Sequence, residues 1–309
     1  YGSTGSATAR INYAIEWTPP TSLTVQPTAP PSQLPSADFV ANIPQPSALT
    51  SSASPQYDIP QAIAYDGSEF LYILIPGNYI PGGGGLAYDV IMKVETDGTY
   101  SSFIPSPGES WNTEGLAFVD VSVAGVDTAT LFAGYNDWDN STFAFTGAVK
   151  KYDPSTLTWS AVNGMSGLDA IGGMASDGEF LFVALRDELT IKKHNVDSGA
   201  VLSTYDLSNA WSSGTGGGGG GGETDYGMMG MGMAGGPPMM GFDYLTYIDG
   251  NLIAGQMNTI ISVDASSGEK AEEDWNSQDV MNTKGLTVVS ETWGGEAADV
   301  LYLVTTMYP

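Results

Sequence analysis

"SDGEFLFVALRDELTIKKHNVDSG" runs from Ser176 to Gly199, and close variants of it recur along the chain. Upstream, Asp66–Leu74 reads "DGSEFLYIL", followed after a loop by "YDVIMKVETDG" at Tyr88–Gly98. Downstream, Ile248–Gly255 reads "IDGNLIAG", followed by "NTIISVDASSG" at Asn258–Gly268. Each copy has one grammar: an apolar strand, a turn of Asp-Gly type, a more strongly apolar strand, then a third strand that closes on another turn. Asp-Gly between two β-rich runs signals a hairpin whose two central residues adopt positive φ.

The first strands align as "PQAIAYDG" (Pro60–Gly67), "TEGLAFVD" (Thr113–Asp120), "IGGMASDG" (Ile171–Gly178), "FDYLTYIDG" (Phe242–Gly250) and "TKGLTVVS" (Thr283–Ser290). The second strands read "FLYILI", "ATLFAGY", "FLFVAL", "NLIAGQ" and "VLYLVTT". Candidate outer strands are "TYSSFIP", "TWSAVNG", "VLSTYDL" and "AEEDWN". Four-stranded units recurring every ~40–50 residues are the sequence mark of propeller blades. No long stretch carries apolar residues at helical spacing, so an all-β chain with few helices is expected.

At this level residues 60–309 resemble the β-propeller superfamily, without the Trp-Asp or kelch signatures of its named repeat families. The resemblance implies a propeller of about five four-stranded blades. The fifth unit stops after two strands, so the ring is expected to close with N-terminal strands: "ARINYAIEW" (Ala9–Trp17) as a third strand and "DFVANIP" (Asp38–Pro44) as a fourth. Closure of this kind removes exposed sheet edges. The chain thus divides into an extended Pro-rich N-terminal segment, 1–37, and a propeller, 38–309, with a Gly/Met-rich insertion at 214–241.

Composition narrows function. The chain has 309 residues, no cysteine, one histidine, and 35 acidic against 9 basic residues for a net charge of −26. No disulfide or thiolate chemistry is available, and the negative field disfavours nucleic acid and anionic membranes. No apolar run approaches the ~20 residues of a membrane span. The chain begins with Tyr1, which reads as a processed start, and with its scarce Lys and plentiful Ser, Thr and Gly suggests an extracellular or cell-surface protein after signal-peptide removal.

Three segments fall outside the repeat. In "RINYAIEW" the residues Ile11, Tyr13, Ile15 and Trp17 alternate onto one apolar face. That face either closes its own ring or is donated to a neighbouring subunit by strand addition. The insertion "GTGGGGGGGETDYGMMGMGMAGGPPMMG" (Gly214–Gly241) reads as a loop, or as an adaptable apolar patch in which Met228, Met229, Met231 and Met233 meet another subunit. The Met231-x-Met233 spacing also suits Cu(I), though no His or Cys lies near it. "YNDWDNST" (Tyr135–Thr142) reads as a loop in which Asp137, Asp139 and Asn140 have the alternating oxygens that open a calcium site, against ordinary turn chemistry. Asn140 also heads a glycosylation sequon.

For catalysis the candidates are residues where first strands begin: Glu114, Asp169, Asp243 and Lys284. Glu114 in "TEGLAF" is similar to the Glu-Gly element with which gluconolactonase-type propellers hold a metal, but Gly172 and Lys284 stand at the corresponding positions of other blades. His194 is read into a third strand, away from the channel, which excludes a His-dependent triad. The expectation is therefore a secreted structural or adhesive propeller, not an enzyme, self-assembling into a filament or surface layer. Its partners are copies of itself, with divalent cations (Ca2+) or surface glycans as further candidates and no certain cofactor. The alternatives are a calcium-dependent lactonase-like or glycan-acting propeller, and a monomeric ligand-binding module.

Overall fold

A computed structural model of the chain describes residues 10–11, 16–17, 61–75, 89–95, 99–105, 107, 113–123, 126–139, 141, 144–208, 242, 244–256, 259–270, 275–276, 283–293 and 296–305. Every regular element among them is a strand. The first blade is β3 (Ala62–Tyr65), β4 (Phe70–Ile75), β5 (Val90–Glu95) and β6 (Tyr100–Pro105), preceded in the chain by the two-residue segments β1 (Arg10–Ile11) and β2 (Glu16–Trp17). The second is β7 (Thr113–Val123), β8 (Val126–Asp139), β9 (Ala144–Asp153) and β10 (Thr158–Leu168). The third is β11 (Ile171–Ser176), β12 (Phe180–Leu185), β13 (Thr190–Asn195) and β14 (Val201–Asp206). The fourth is β15 (Tyr244–Ile248), β16 (Asn251–Gln256), β17 (Thr259–Asp264) and β18 (Trp275–Asn276). Each is an antiparallel meander in chain order.

The remaining sheet is a hairpin, β19 (Thr283–Trp293) with β20 (Glu296–Thr305), to whose outer edge both N-terminal segments pair. Arg10 lies opposite Thr305 and Ile11 opposite Val304, and then Glu16 lies opposite Val300 and Trp17 opposite Asp299. The innermost strands pack side by side in the order β3, β7, β11, β15, β19, and β19 meets β3 again. The architecture is a divergent all-β propeller. Where the sequence leads to about five four-stranded blades, the described residues form four such blades, and the fifth sheet is this hairpin with two short additions. The chain ends shortly after the second strand of that sheet, and "DFVANIP" lies outside the described residues.

Second strands read as unbroken apolar runs because both of their faces are buried. Leu181, Val183 and Leu185 join Phe132, Val149 and Met165 in the core between blades two and three, whereas Phe182 and Ala184 join Phe242, Leu252 and Ile261 between blades three and four. Tyr72 and Leu74 likewise pack with Leu116, Leu131 and Tyr152 between blades one and two. The core is thus a set of wedges between sheets, driven by apolar burial of about 25 cal/mol per Å².

Glycine decides how closely the inner strands approach. A Cβ on Gly173 would sit 2.6 Å from Leu245 N, one on Gly115 2.9 Å from Met174 N, and one on Gly285 3.0 Å from Ala62 Cα. These are the glycines of "IGGM", "TEGL" and "TKGL".

Two local expectations are corrected. Positive φ at both residues of the Asp-Gly turn holds for the two-residue turn Asp249–Gly250 (46° and 84°), whereas at Asp66–Gly67 only the glycine is left-handed (77°). There the connection is longer, and Asp66 Oδ1 stabilises it by accepting from the amides of Ser68, Glu69 and Phe70 at 2.9–3.0 Å. "YNDWD" is not a loop: Tyr135–Asp139 continue β8, opposite Ala148–Ala144 of β9. Trp138 packs edge-on to Phe145 at 4.8 Å between centroids, a cross-strand aromatic pair that extends the ladder.

Two of the lysines are used within their own blades. Lys93 lies opposite Tyr72 and Lys193 opposite Phe182, at equivalent places in blades one and three. Their ammonium groups sit 3.6 Å from the Phe70 centroid and 4.0 Å from that of Phe180.

Candidate functional site

The channel end at which inner strands begin is organised by Arg186, which follows β12 directly. Its backbone N–H donates to Ala170 O at 2.8 Å. Its side chain crosses blades in two directions: Nε donates to Phe242 O at 3.2 Å, and Nη2 meets Glu114 Oε2 at 2.9 Å. Both side chains are partly shielded, with 23% and 18% of their surface exposed. Nearby the channel is pinched to a space of about 10 Å³ among Glu114, Gly115, Gly173, Tyr244 and Gly285.

Further polar contacts tie blade to blade. The Asp89 carboxylate, fully buried, accepts from Thr113 N at 2.9 Å. Asn136 is bidentate to Ile171. Tyr205 donates its hydroxyl proton to Ala265 O at 2.6 Å.

Glu114, the best sequence candidate for a metal-holding acid, is therefore ion-paired. Asp169 is exposed beside the β12–β13 turn. Its hydrogen bond to Glu188, followed by desolvation, raises its carboxyl above the ordinary range, while Glu188, accepting from it, is lowered to about 2. One proton between the two carboxyls accounts for both directions. Asp243 lies outside the described residues; Lys284 falls within β19, its side chain outside them. Asp137 and Asp139 lie two apart on β8, and Asp139 Oδ1 accepts from Ser141 N at 2.7 Å and from the Ser141 hydroxyl at 2.6 Å. Among the described residues no three His, Cys, Asp or Glu side chains gather as a metal-binding group, and no helix is long and apolar enough to cross a membrane.

Asn140, Tyr13, Ile15, Met228, Met229, Met231 and Met233 lie outside the described residues. Of the other proposed interface positions, Ile11 and Trp17 pair through their backbones with β20 of the same chain.

His194 sits in β13, 1% exposed. Nδ1 is 3.1 Å from Gly199 O, and Nε2 is buried with no hydrogen-bond partner. Desolvation lowers its pKa below the ordinary value of 6.5.

Sequence reasoning passed over Arg186, Asp89 and Asn136. Only Arg186 carries a signal: it is one of two arginines in the chain and stands directly after a second strand.

No protein-family model matches the chain, and no curated protein matches it. Among solved structures it is similar to a chain of a nidogen/laminin complex, at 11% identity and TM-score 0.44 over 91% of this chain and 97% of that one. It is also similar to a luciferin-regenerating enzyme, at 11% identity and TM-score 0.43 over 82% and 94%, and to a chain of a mitotic checkpoint complex, at 12% and 0.40 over 76% and 55%.

Proposed function

We propose that this protein is an extracellular structural propeller that assembles with copies of itself, its fifth blade completed by an N-terminal strand. One observation carries the reading: residues 10–11 and 16–17 add to the open edge of β20, so that edge accepts this segment as a strand. A Pro-rich strap follows the segment, and ~20 extended residues of such a strap reach ~60 Å. The same pairing is then open to the segment of a neighbouring copy, as exchange of an identical element between protomers. The engagement of Glu114 by Arg186 weighs against a metal-holding role for that acid.

Deletion of residues 1–20 tests the reading, observed by light scattering and electron microscopy of material from the native source. Folded rings that no longer polymerise support exchange. Polymers that persist after the deletion overturn it, and a monomer that loses stability without any change in assembly assigns the segment to closure of its own ring alone.

A further inference from the structure

Beyond the pinch at Glu114 the channel widens toward the opposite face, where a cavity of about 150 Å³ is bounded by the next residues along each inner strand. We infer that this wide end binds a monovalent alkali cation through uncharged oxygen ligands. The proposal is independent of self-assembly.

At the position where blades one to three place Ala64, Ala117 and Ala175, blade four has Thr246 and β19 has Thr287, and all five line this cavity. The two threonines are 6% and 9% exposed. Among the described residues neither hydroxyl is hydrogen-bonded. Both hydroxyls open onto the cavity and lack a partner in its wall. A ligand in the cavity would supply it. The walls offer more of the same chemistry, because β3, β7, β11 and β15 are each the terminal strand of their sheet and turn an unladdered backbone edge toward the channel.

The sign of the ligand follows from the charges. Among the described residues no charged side chain lines the cavity. Just beyond its lining residues stand Asp66, Asp177 and Asp249 in turns and Asp120 on β7, in a chain of net charge −26. Asp177 is neutralised by Lys193 at 3.3 Å, whereas Asp120 and Asp249 have no ion pair among the described residues. A low-dielectric funnel rimmed in this way concentrates cations and excludes anions. Its kind follows from the ligands. Hydroxyl and carbonyl oxygens are hard and uncharged, the ligand set of monovalent cation filters, whereas Ca2+ sites bring carboxylates into direct contact.

The test is the melting temperature of the intact chain in KCl or NaCl against N-methyl-D-glucamine chloride at equal ionic strength, which holds general screening constant. The expected result is a higher melting temperature in K+ or Na+, rising with the logarithm of concentration as native-state binding requires. In Thr246→Val/Thr287→Val the apparent affinity should fall by at least about tenfold. Equal protection by the organic cation, or an undiminished effect in the double variant, overturns the site. Saturation by Ca2+ far below the alkali concentrations also overturns it, since that requires carboxylate ligands. So does stabilisation by glycerol with no response to alkali cations, which would assign the cavity to a neutral hydroxylated ligand. Should the double variant not fold, Thr246→Val alone is used with 23Na line broadening: in the native chain the line should broaden and narrow again on adding K+, and an unbroadened line overturns the proposal.

Discussion

Asn136 and Ile171 exchange two hydrogen bonds across the joint between the second and third blades. Ile171 N donates to Asn136 Oδ1 at 2.8 Å, and Asn136 Nδ2 donates to Ile171 O at 3.0 Å. The amide lies on β8 and is 1% exposed, and its partner is the first residue of β11. It therefore satisfies one N–H and one C=O at the start of β11, the terminal strand of its sheet.

Asn136→Ala should leave both backbone groups buried and unpaired, at about 1–3 kcal/mol each before relaxation. Asn136→Asp should be worse, because it loses the donor and buries a charge. Chemical denaturation of the two variants checks the order. An Asp variant as stable as the native chain would mean that water already reaches this joint.

At the channel mouth, Arg186→Met should be more damaging than Glu114→Gln. The methionine removes the Phe242 and Glu114 contacts together, whereas glutamine keeps a neutral acceptor for the guanidinium. With both side chains about four-fifths shielded, a coupling of about 1 kcal/mol is expected from the double-mutant cycle. The coupling should shrink as salt rises. A salt-independent value would show that packing of the arginine stem, not charge, joins these blades.

The blades themselves were legible because their signal is local. "FLFVAL" and "FLYILI" are apolar at every position, as strands buried on both faces must be, and the Asp-Gly and Asp-Pro turns punctuate them at regular distance. The joints were not legible. Asn136 and Ile171 are 35 residues apart and Arg186 and Glu114 are 72 apart, so the partner of each is set by the ring and not by neighbours in sequence. The same reason hid β8: "YNDWD" has turn composition, and its strand character comes from the facing residues Phe145 and Thr146. Glu114 was found from its motif, but its engagement by an arginine from the next blade was beyond any motif.

Gly173 and Gly67 should respond to a side chain to different degrees and for different reasons. At Gly173 a Cβ would sit 2.6 Å from Leu245 N, a backbone atom that moves only if blade four moves, so Gly173→Ala should cost more than about 2 kcal/mol. At Gly67 nothing lies within 4 Å and the difficulty is φ of 77°, which asparagine tolerates. Gly67→Asn should cost under about 1 kcal/mol, and Gly67→Val more. Equal melting temperatures for Gly173→Ala and the native chain would mean that the inner strands are not packed as closely as described.

Acid should loosen the third blade through His194 before it reaches the aspartates. Burial is the largest cause of the lowered imidazole pKa, with Lys192 on the same strand adding to it and the Gly199 carbonyl opposing. The sign follows directly: in the unfolded chain the histidine takes up a proton near pH 6.5 and in the folded chain only at lower pH. Stability is therefore fully present above 6.5 and falls as pH drops from there toward the folded pKa. The aspartates of the turns act in a lower window. Asp264, held at about 2 by the hydroxyl and amide of Ser266 and those of Ser267, contributes stability that is lost only as pH falls through its depressed value. Two steps are expected in a plot of unfolding free energy against pH, and His194→Phe should flatten the upper one while leaving the lower one in place. Hydrogen exchange at pH 7 and pH 5 locates the change: amides of β13, β14 and the irregular stretch of β10 at Asn163–Gly164 should lose protection first, since Gly199 packs directly against that stretch. Uniform loss across all blades, or an upper step that survives His194→Phe, would assign the acid response to groups other than His194.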